Sequence, residues 1–277
     1  MTQTVLITGC SSGIGLAAAR GLRQAGFRVL ATARQPADVA ALAAEGFAAH
    51  RLDLTDEASI EAAARWALSQ SQGQLWGLVN NGAYGQPGAL EDLPTDALRR
   101  QFETNFFGWH HLTRQLLPAM LANGQGRIVQ VGSVLGLVAM RFRGAYNSSK
   151  FALEGYTDTL RLELRGSGVH VSLIEPGPIE TRFRVHALAA FRQAIDLDHS
   201  RHAKEYRQTL QRLGRAEGSP SGPFTLPAEA CLPPLRHALQ AKRPRRRYQV
   251  TRPAKWFYYL RRLLPTAWLD ALLARSA

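Results

Sequence analysis

The sequence predicts an α/β protein with a doubly wound parallel sheet of about seven strands and a helical extension at its C-terminal end. Short apolar segments alternate with helical segments between residues 4 and 182, as in consecutive βαβ units. A glycine-rich loop separates the first of these strands from the first helix. The 277 residues, 45% of them hydrophobic, are enough for one large domain with a sizeable core.

The strands are assigned from short runs of aliphatic and β-branched residues. We expect them at Val5–Thr8, Arg28–Ala33, His50–Asp53, Leu75–Val79, Arg127–Gly132 and His170–Glu175, with a seventh in residues 245–251. The helices are assigned from alanine-rich or periodic apolar segments, several of which end near a glycine. We expect them at Gly13–Ala25, Asp38–Glu45, Glu57–Ser69, Asp96–Leu121 and Ala145–Arg165.

The remaining segments are polar or basic. Residues 182–226 are polar and irregularly patterned, with a Gly/Ser/Pro cluster at Gly218–Pro223, and we interpret them as a mobile substrate-binding lobe. Residues 1–251 are therefore expected to form one domain. Residues 252–277 are expected to form a basic and aromatic helical tail.

Composition restricts the class of protein. Two cysteines, Cys10 and Cys231, give no disulfide framework, which suits a reducing, cytoplasmic compartment. We find no signal peptide and no apolar run of about 18 residues, and we predict no metal site. The formal charge is +13, but Arg236–Arg262 contains ten Lys or Arg and no Asp or Glu, which leaves 24 basic and 21 acidic residues elsewhere, a net of +3. The basicity therefore belongs to one segment, and we predict no nucleic-acid partner.

The loop Thr8–Gly15 has the sequence Thr-Gly-Cys-Ser-Ser-Gly-Ile-Gly. Its three glycines, at positions 9, 13 and 15, permit a tight turn and close approach of a ligand to the backbone. The helix that follows presents free N–H groups to a phosphate. We therefore predict a dinucleotide site rather than a purely structural turn. Its residues would be Gly9, Ser11, Ser12, Gly13, Ile14 and Gly15.

The ends of the second and third strands bear on the choice of cofactor. An acidic residue after the second strand would bind the ribose 2′-hydroxyl of NAD, but this chain has Ala33-Arg34. A guanidinium suits a 2′-phosphate, so we predict that Arg34 selects NADP(H), with NAD(H) the less favoured cofactor. A solvated surface arginine is the alternative. Asp53 would either cap the next turn or bind the adenine amine, and its neighbour Leu54 would also lie at the cofactor.

Tyr146 and Lys150 are four residues apart, a spacing that places both side chains on one face of a helix. A nearby positive charge favours the phenolate and lowers a tyrosine pKa from about 10. Such a tyrosine transfers protons to or from a substrate oxygen near neutral pH. Alone the pair is weak evidence, because a packed aromatic beside a surface lysine gives the same pattern.

With these motifs the chain resembles the short-chain dehydrogenase/reductase family over roughly residues 4–182. Asn80-Asn81-Gly82-Ala83 is similar to the family's Asn-Asn-Ala-Gly motif with its last two residues exchanged. Ser133 precedes Tyr146 by the family's spacing, and Asn105 lies where the family has a catalytic asparagine. Pro176–Thr181 is similar to the family's Pro-Gly-x-(Val/Ile)-x-Thr segment.

The resemblance implies a Rossmann-type fold and four catalytic residues. Tyr146 would be the general acid in carbonyl reduction and the general base in alcohol oxidation. Lys150 would lower the pKa of Tyr146 and bind the nicotinamide ribose, and Ser133 would hydrogen-bond the substrate oxygen. Asn105 would hold a water that connects Lys150 to solvent. Further cofactor contacts would come from Asn80, Gly82, Pro176, Gly177, Ile179 and Thr181.

The resemblance also bears on assembly and substrate. It implies a homodimer or homotetramer through the helices near 96–121 and 146–165. The strand end Ala31–Arg34, the bulky lobe and the tail resemble the branch of the family that acts on retinoids, steroids and lipophilic aldehydes or ketones. Residues 84–93, 134–143 and 182–226 would line the substrate pocket. Four apolar residues there would be pocket lining or core: Val138, Met140, Phe142 and Phe183.

We therefore expect an NADP-dependent oxidoreductase acting on CH–OH groups, with a lipophilic carbonyl or alcohol as substrate. A lyase or epimerase without net cofactor turnover and a redox-sensing binding protein are the alternatives. The tail, Arg252–Leu273, mixes aromatic residues with Lys and Arg. It would pack on the domain or on a partner subunit, or make a peripheral membrane contact. A membrane-binding protein that uses the fold as a scaffold is the remaining alternative.

Overall fold

The computed structural model describes residues 2–214, 222 and 224–274. Seven strands form one parallel sheet in the order β3-β2-β1-β4-β5-β6-β7. The strands are β1 (Thr4–Ile7), β2 (Arg28–Ala33), β3 (Ala48–Arg51), β4 (Leu75–Asn80), β5 (Gly126–Val131), β6 (Val169–Glu175) and β7 (Arg247–Gln249). The predicted fold class is confirmed, and each predicted strand is present with ends that differ by a few residues.

Helices cover both faces of the sheet. They are α1 (Gly13–Gln24), α2 (Pro36–Ala44), α3 (Glu57–Gln70), α4 (Thr95–Phe102), α5 (Gly108–Ala122), α6 (Gly144–Glu163), α7 (Phe183–Ala194), α8 (Ala203–Leu213), α9 (Leu232–Gln240), α10 (Arg252–Leu263) and α11 (Thr266–Ala274). Successive residues of a strand point to opposite faces, so Val5 and Ile7 pack in the core under α1 and α9 while Leu6 packs under α3 and α5. The sheet is therefore buried on both sides.

The strand order reverses between β1 and β4. After β3 at one edge, the chain returns to pair β4 with the other side of β1. In doubly wound sheets, ligands bind in the crevice outside the carboxyl ends of the strands at such a point. The loops that follow β1 and β4 are therefore the place where a ligand site is expected.

The predicted helix Asp96–Leu121 is interrupted. Glu103–Phe107 forms a π-helical turn between α4 and α5. A π-helical turn inserts one extra residue into a helix and often lies at a functional site. Here it carries Asn105, whose side chain is fully buried.

The segment predicted to form a substrate-binding lobe, residues 182–226, contains two helices, α7 and α8, although its sequence is irregularly patterned. The hydroxyl of Tyr206 in α8 donates to Asp92 Oδ2 at 2.5 Å and accepts from the N–H of Ala89 at 2.8 Å. These bonds fasten α8 to the loop after β4. Most of the Gly218–Pro223 cluster lies outside the described residues. The helix α9 was not predicted, whereas the helical extension at the C-terminal end is confirmed by α10 and α11.

Candidate active site

The glycine loop after β1 meets the Asn-Asn-Gly loop after β4. Gly9 and Gly13 have φ angles of +71° and +55°, a region that residues with a side chain rarely adopt. A Cβ atom on Gly15 would lie 2.1 Å from the carbonyl oxygen of Gly9. A Cβ atom on Gly9 would lie 2.6 Å from the Cα atom of Gly82. Only glycine fits these positions, so the loop remains an open backbone cradle.

Asn81 locks the two loops together. Its Nδ2 group donates to the carbonyl oxygens of Thr8 at 2.9 Å and Gly9 at 3.1 Å. In return, the Thr8 hydroxyl accepts from the N–H groups of Asn81 and Gly82, both at 2.8 Å. Sequence reasoning chose Asn80 and Gly82 and missed Asn81, although the doubled asparagine was the available signal. Asn80 lies beneath the loop, where its Nδ2 group donates to Thr113 Oγ1 at 3.1 Å.

The residues around the start of α1 fit a dinucleotide diphosphate. Ser12 is the N-cap of α1, and its hydroxyl makes no capping hydrogen bond, so the first N–H groups of the helix remain available to an anion. Thr181 closes the opposite side, since its Cγ2 atom would lie 2.8 Å from a Cβ atom on Gly13. The predicted residues 9–15 and Thr181 are therefore brought together around one cradle.

The segment from Pro176 to Thr181 is held by its own contacts. The carbonyl oxygen of Pro176 accepts from the N–H of Val134 at 2.8 Å. Gly177 lies so close to the C-terminal part of the chain that a Cβ atom there would be 2.0 Å from Thr251 Oγ1. Ile179 forms an isolated parallel bridge with Leu226. These contacts fix the segment beside the end of β6, as a cofactor-binding role requires.

A cleft of about 610 Å³ lies at the ends of β2 and β3. It is lined by Arg34, Gln35, Pro36, Arg51 and Asp53. Arg51 pairs in register with Ala33, and its Nε group donates to the carbonyl oxygen of Arg34 at 3.3 Å. Two guanidinium groups therefore border this cleft. Sequence reasoning found only Arg34.

Asp53 caps a turn. Its Oδ1 atom accepts from the N–H of Thr55 at 3.0 Å and from the Thr55 hydroxyl at 2.8 Å. Its Oδ2 atom lies 4.0 Å from a guanidinium nitrogen of Arg51. Of the two roles left open for Asp53, the capping role is the one that these contacts support. Leu54 is buried against the loop after β4, 3.2 Å from where a Cβ atom on Gly82 would be.

Ser133 and Tyr146 meet at the end of β5. Ser133 caps the short 3₁₀ helix Val134–Gly136 by accepting from the N–H of Leu135 at 3.1 Å. Tyr146 lies in the first turn of α6 and is hydrogen-bonded to Ser133. The two hydroxyls that the resemblance assigns to a substrate oxygen are therefore adjacent.

Lys150 lies one turn after Tyr146 and is 99% buried, since only 1% of its surface is accessible. Its Nζ group donates to the carbonyl oxygen of Val131 at 2.8 Å and lies 4.5 Å from the ring centroid of Trp109. The indole N–H of Trp109 donates to the carbonyl oxygen of Gly82 at 2.8 Å. A buried lysine aimed at this point is a functional candidate rather than a surface residue.

Burial sets the acid–base properties of this pair. It raises the pKa of Tyr146 to about 12, although the hydrogen bond with Ser133 and the charge of Arg143 act in the opposite direction. Burial also lowers the pKa of Lys150 to about 7, although Glu154 acts to raise it. Loss of solvent destabilises both charged forms, and at Tyr146 it outweighs the effects of Ser133 and Arg143. That Lys150 lowers the pKa of Tyr146 stays a prediction.

Asn105 does not point its side chain at Lys150. Its Oδ1 atom accepts from the N–H of Tyr84 at 3.1 Å and its Nδ2 group donates to the carbonyl oxygen of Tyr84 at 2.9 Å. The same Nδ2 group lies 3.4 Å from Ser149 Oγ. The amide therefore fastens the π-helical turn to the loop after β4, and the proposed water relay would have to use the backbone.

The four predicted apolar pocket residues separate into lining and core. Phe183 packs edge-on against Tyr146, with 5.3 Å between ring centroids. Met140 and Phe142 line a second cleft of about 700 Å³. Val138 instead packs in a buried cluster with Leu269 and Leu273. Lining is thus supported for three of the four residues, and core packing for Val138.

The second cleft lies beside the first turn of α6. Gly144 and Asn147, which flank Tyr146 in the sequence, line it together with residues from the loops at 88–91 and 139–142. One wall comes from the tail, because Asp270, Leu273 and Ala274 of α11 also line the cleft. Sequence reasoning did not place the tail in the substrate region.

Helix α6 is tied to the last strand by a partly buried ionic network. Arg247 in β7 donates to Glu154 Oε2 at 2.9 Å and to Asp158 Oδ2 at 2.8 Å, both in α6. Glu175 at the end of β6 is fully buried, and burial together with the charge of Glu154 raises the pKa of Glu175 to about 8. The network fixes α6 relative to the end of the sheet.

The comparisons with known proteins agree with this geometry. The family model described as short chain dehydrogenase matches residues 3–190. "Uncharacterized oxidoreductase YbbO" of Escherichia coli (strain K12) is 41% identical over 273 residues, 99% of this chain and 94% of that protein. "Retinol dehydrogenase 8" of Homo sapiens is 41% identical over 194 residues, 68% of this chain and 62% of that protein. "17-beta-hydroxysteroid dehydrogenase type 6" of Rattus norvegicus is 34% identical over 98% of this chain and 88% of that protein.

Solved structures show the same fold. A short-chain dehydrogenase from Streptomyces avermitilis superposes with a TM-score of 0.77 at 29% identity, covering 99% of this chain and 94% of that one. A Burkholderia phymatum member in complex with NAD has a TM-score of 0.74 at 26% identity, over 90% and 88% of the two chains. Actinorhodin polyketide ketoreductase with NADPH has a TM-score of 0.72 at 26% identity, over 90% and 95%. The chain belongs to the short-chain dehydrogenase/reductase family, with relatives in its retinoid and steroid branch.

Proposed function

We propose that this oxidoreductase reduces a lipophilic aldehyde or ketone to the alcohol with NADPH, and catalyses the reverse oxidation when the cofactor ratio favours it. The observation that carries the proposal is the convergence of Ser133, Tyr146 and the buried Lys150 at the end of β5. Together these side chains can stabilise the alkoxide that develops on a substrate oxygen and protonate that same oxygen.

The chemical step divides between the cofactor and the chain. When bound, the reduced nicotinamide supplies the hydride. Ser133 hydrogen-bonds the carbonyl oxygen and orients it towards Tyr146. The phenol of Tyr146 gives its proton to that oxygen as negative charge develops there. Because the pKa of Tyr146 is about 12 in the free protein, the phenol carries this proton throughout the neutral range.

Lys150 helps to restore to Tyr146 the proton that the phenol gives to the substrate. Its pKa of about 7 means that the side-chain amine takes up and releases a proton near neutral pH. Its Nζ atom lies 5.7 Å from the ring centroid of Tyr146, so its charge stabilises the phenolate that remains after proton transfer. Lys150 is also the residue that would hold the nicotinamide ribose, as the family resemblance implies.

NADP(H) is favoured over NAD(H) by the positive charge at the cleft where the adenosine end of the cofactor would lie. Arg34 and Arg51 border the cleft at the ends of β2 and β3. The Asp53 carboxylate at that cleft is engaged by the Thr55 turn. A 2′-phosphate would find two guanidinium groups there, which bind phosphate strongly through charge-assisted hydrogen bonds.

A lipophilic substrate is favoured by the surroundings of Tyr146. The ring of Phe183 packs edge-on against the tyrosine. Met140, Phe142 and Leu273 give the neighbouring cleft of about 700 Å³ its apolar surface, and its lining also includes the charged residues Glu91, Arg141, Arg201 and Asp270. We propose a cytoplasmic enzyme that forms a homodimer or homotetramer through α5 and α6. The exposure of Leu162 and Phe107, 69% and 48%, supports an interface there.

The test is consumption of NADPH against aldehydes and ketones from short and polar to long and apolar, with NADH and Tyr146→Phe in parallel. We expect turnover with NADPH that increases with substrate chain length and falls about 10²- to 10⁴-fold in Tyr146→Phe. Tight NADPH binding without turnover on any carbonyl would contradict the proposal and would favour a sensor, a lyase or an epimerase.

A further inference from the structure

The exposed apolar surface of this protein is concentrated at its C-terminal end. Twelve large hydrophobic residues in the described part of the chain are exposed, and five of them belong to α10 and α11. They are Trp256, Tyr259, Leu263, Trp268 and Leu272, with exposed fractions of 51%, 62%, 76%, 68% and 41%. Two further exposed hydrophobic residues, Phe224 and Leu226, lie in the segment before α9. The Phe224 ring packs on Trp256 with centroids 5.3 Å apart.

This surface is the outer side of two well-anchored helices. Leu269 and Leu273 of α11 are buried against Val138, and Phe257 and Leu260 of α10 pack on the same cluster. Arg261 stacks on Phe151 with 4.8 Å between its guanidinium carbon and the ring centroid. The inner faces are therefore fixed on the domain, as one of the alternatives for the tail predicted. The outer residues are exposed although the helices are folded and packed.

The outer face of α10 combines aromatic and cationic side chains. At 100° per residue, the exposed positions 252, 255, 256, 259, 262 and 263 fall within one arc of the helix. Trp256, Tyr259 and Leu263 alternate there with three cations, Arg252, Lys255 and Arg262. α10 has no acidic residue. Within the described part of the chain, neither Arg252 nor Lys255 is within ion-pair distance of a carboxylate.

We infer that the outer face of α10 and α11 docks on a bilayer that contains anionic phospholipid. Trp and Tyr favour the membrane–water interface, and clustered Lys and Arg gain affinity from anionic headgroups. None of the helices in the described residues has the length and hydropathy of a transmembrane span. The inference does not depend on the proposed redox chemistry.

A second copy of this chain fits the surface less well. A twofold symmetric contact places the same patch on both subunits, so the cations at 252, 255 and 262 would face their own copies. Such like-charge contacts oppose association. An anionic lipid surface instead complements every cation in the patch.

The test is co-sedimentation of the full-length protein with vesicles of phosphatidylglycerol and phosphatidylcholine, or of phosphatidylcholine alone. We expect binding to the mixed vesicles that is at least about tenfold stronger than to phosphatidylcholine and that weakens with salt. The double variant Tyr259→Ser/Trp268→Ser should lower binding about tenfold, and so should Arg252→Glu/Lys255→Glu. All four side chains are exposed, so we expect both variants to fold, with an unchanged melting temperature as the check.

Matched controls are available elsewhere in the chain. Arg165→Glu reverses one exposed charge in the turn just after α6 and should leave binding unchanged. Brominated lipids should quench the fluorescence of the exposed Trp256 and Trp268. Trp66 stacks on His50 and Trp109 is buried, so Trp66→Phe should leave the intensity lost to quenching essentially unchanged.

Three outcomes would overturn the inference. One is equal sedimentation with both vesicle types, and the second is full binding by both double variants. The third is concentration-dependent dimerisation in lipid-free ultracentrifugation that Tyr259→Ser/Trp268→Ser abolishes, because that result would assign the surface to a second copy of the chain.

Discussion

Phe183, the first residue of α7, packs its ring edge against the ring of Tyr146, with centroids 5.3 Å apart. The Phe183 ring also meets the loop after β4, where a Cβ atom on Gly85 would lie 2.6 Å from Phe183 Cζ and 3.6 Å from Tyr146 Cδ2. The phenylalanine therefore packs against both the tyrosine and this loop. Its size limits what can approach the phenol.

Replacing Phe183 by alanine should broaden the range of accepted ketones. Removal of the ring opens apolar volume beside Tyr146, and such changes in a hydrophobic pocket alter selectivity by about 10- to 200-fold. We expect kcat/KM for bulky ketones to rise relative to that for short aldehydes. The measurement is the ratio of the two kcat/KM values with NADPH. Phe183→Tyr, which keeps the ring, is the matched control and should keep the ratio.

Lys150 should make stability depend on pH in a specific direction. Burial lowers its pKa from the ordinary value of 10.5 to about 7. Between pH 7 and 10.5 the unfolded chain therefore binds this proton and the folded chain does not, so stability rises with pH across that interval. Below pH 7 the charged lysine is buried in the folded state and its desolvation cost is fully present.

The prediction is that Lys150→Met flattens this slope. An interval from about pH 7.5 to about pH 9.5 lies between the two pKa values. In that interval the free energy of unfolding of the unmodified protein should rise with pH more steeply than that of the variant, by about 1 kcal/mol per pH unit. Urea unfolding at several pH values measures both slopes. Lys204→Met, at an exposed position of α8, should leave the slope unchanged. Equal slopes for Lys150→Met and the unmodified protein would show that Lys150 keeps its proton in the folded state.

The fold and the central site were predictable because their signals are local. A strand, a glycine loop and a helix N-terminus occupy adjacent residues from Thr4 to Gln24, so the cradle is visible in the sequence. Likewise Tyr146 and Lys150 share one helix. The pairing of Ala33 with Arg51, in contrast, appears only when β2 and β3 lie side by side. Arg51 was therefore missed, although the parallel order of the strands would have placed it beside Arg34.

Other features depend on contacts between distant residues. Tyr206 bonds to Asp92, 114 positions away, and that contact helps to hold α8, whose narrow apolar stripe of Tyr206, Leu210 and Leu213 lies in an otherwise polar segment. The direction in which the pKa of Tyr146 shifts depends on how deeply the phenol is buried. The four-residue spacing between Tyr146 and Lys150 does not reveal that burial. The position of α11 beside the second cleft, through Leu273, depends on the packing of the tail against the domain.

The glycine cradle gives a prediction with an internal control. A Cβ atom on Gly15 would lie 2.1 Å from a backbone carbonyl oxygen, whereas one on Gly155 would meet nothing within 4 Å. We expect Gly15→Ala to abolish detectable NADPH binding. Gly155→Ala, in the middle of α6, should leave binding intact and raise the melting temperature by about 2 °C, because alanine stabilises a helix interior by about 1 kcal/mol relative to glycine.

Binding of the nicotinamide cofactor by titration calorimetry, alongside thermal unfolding, separates these two effects. A Gly15→Ala protein that binds NADPH as tightly as the unmodified chain would show that the cradle adapts by moving its backbone. Destabilisation by Gly155→Ala would mean that α6 is not a regular helix at that position.

The two guanidinium groups at the adenosine end should contribute unequally to cofactor choice. Arg34 follows β2 directly, and no carboxylate in the described part of the chain pairs with it, whereas Arg51 lies 4.0 Å from Asp53 and donates to the Arg34 carbonyl. Loss of a hydrogen bond to a charged group costs about 1.5–3 kcal/mol. Arg34→Ala should therefore lower kcat/KM for NADPH by about 10- to 100-fold, and Arg51→Ala by less.

Neither change should reduce kcat/KM for NADH. Arg65 is an exposed arginine in α3, and Arg65→Ala should change kcat/KM for neither cofactor. An equal loss for NADPH and NADH in Arg34→Ala would mean that the side chain supports the fold of the cleft and does not bind a 2′-phosphate.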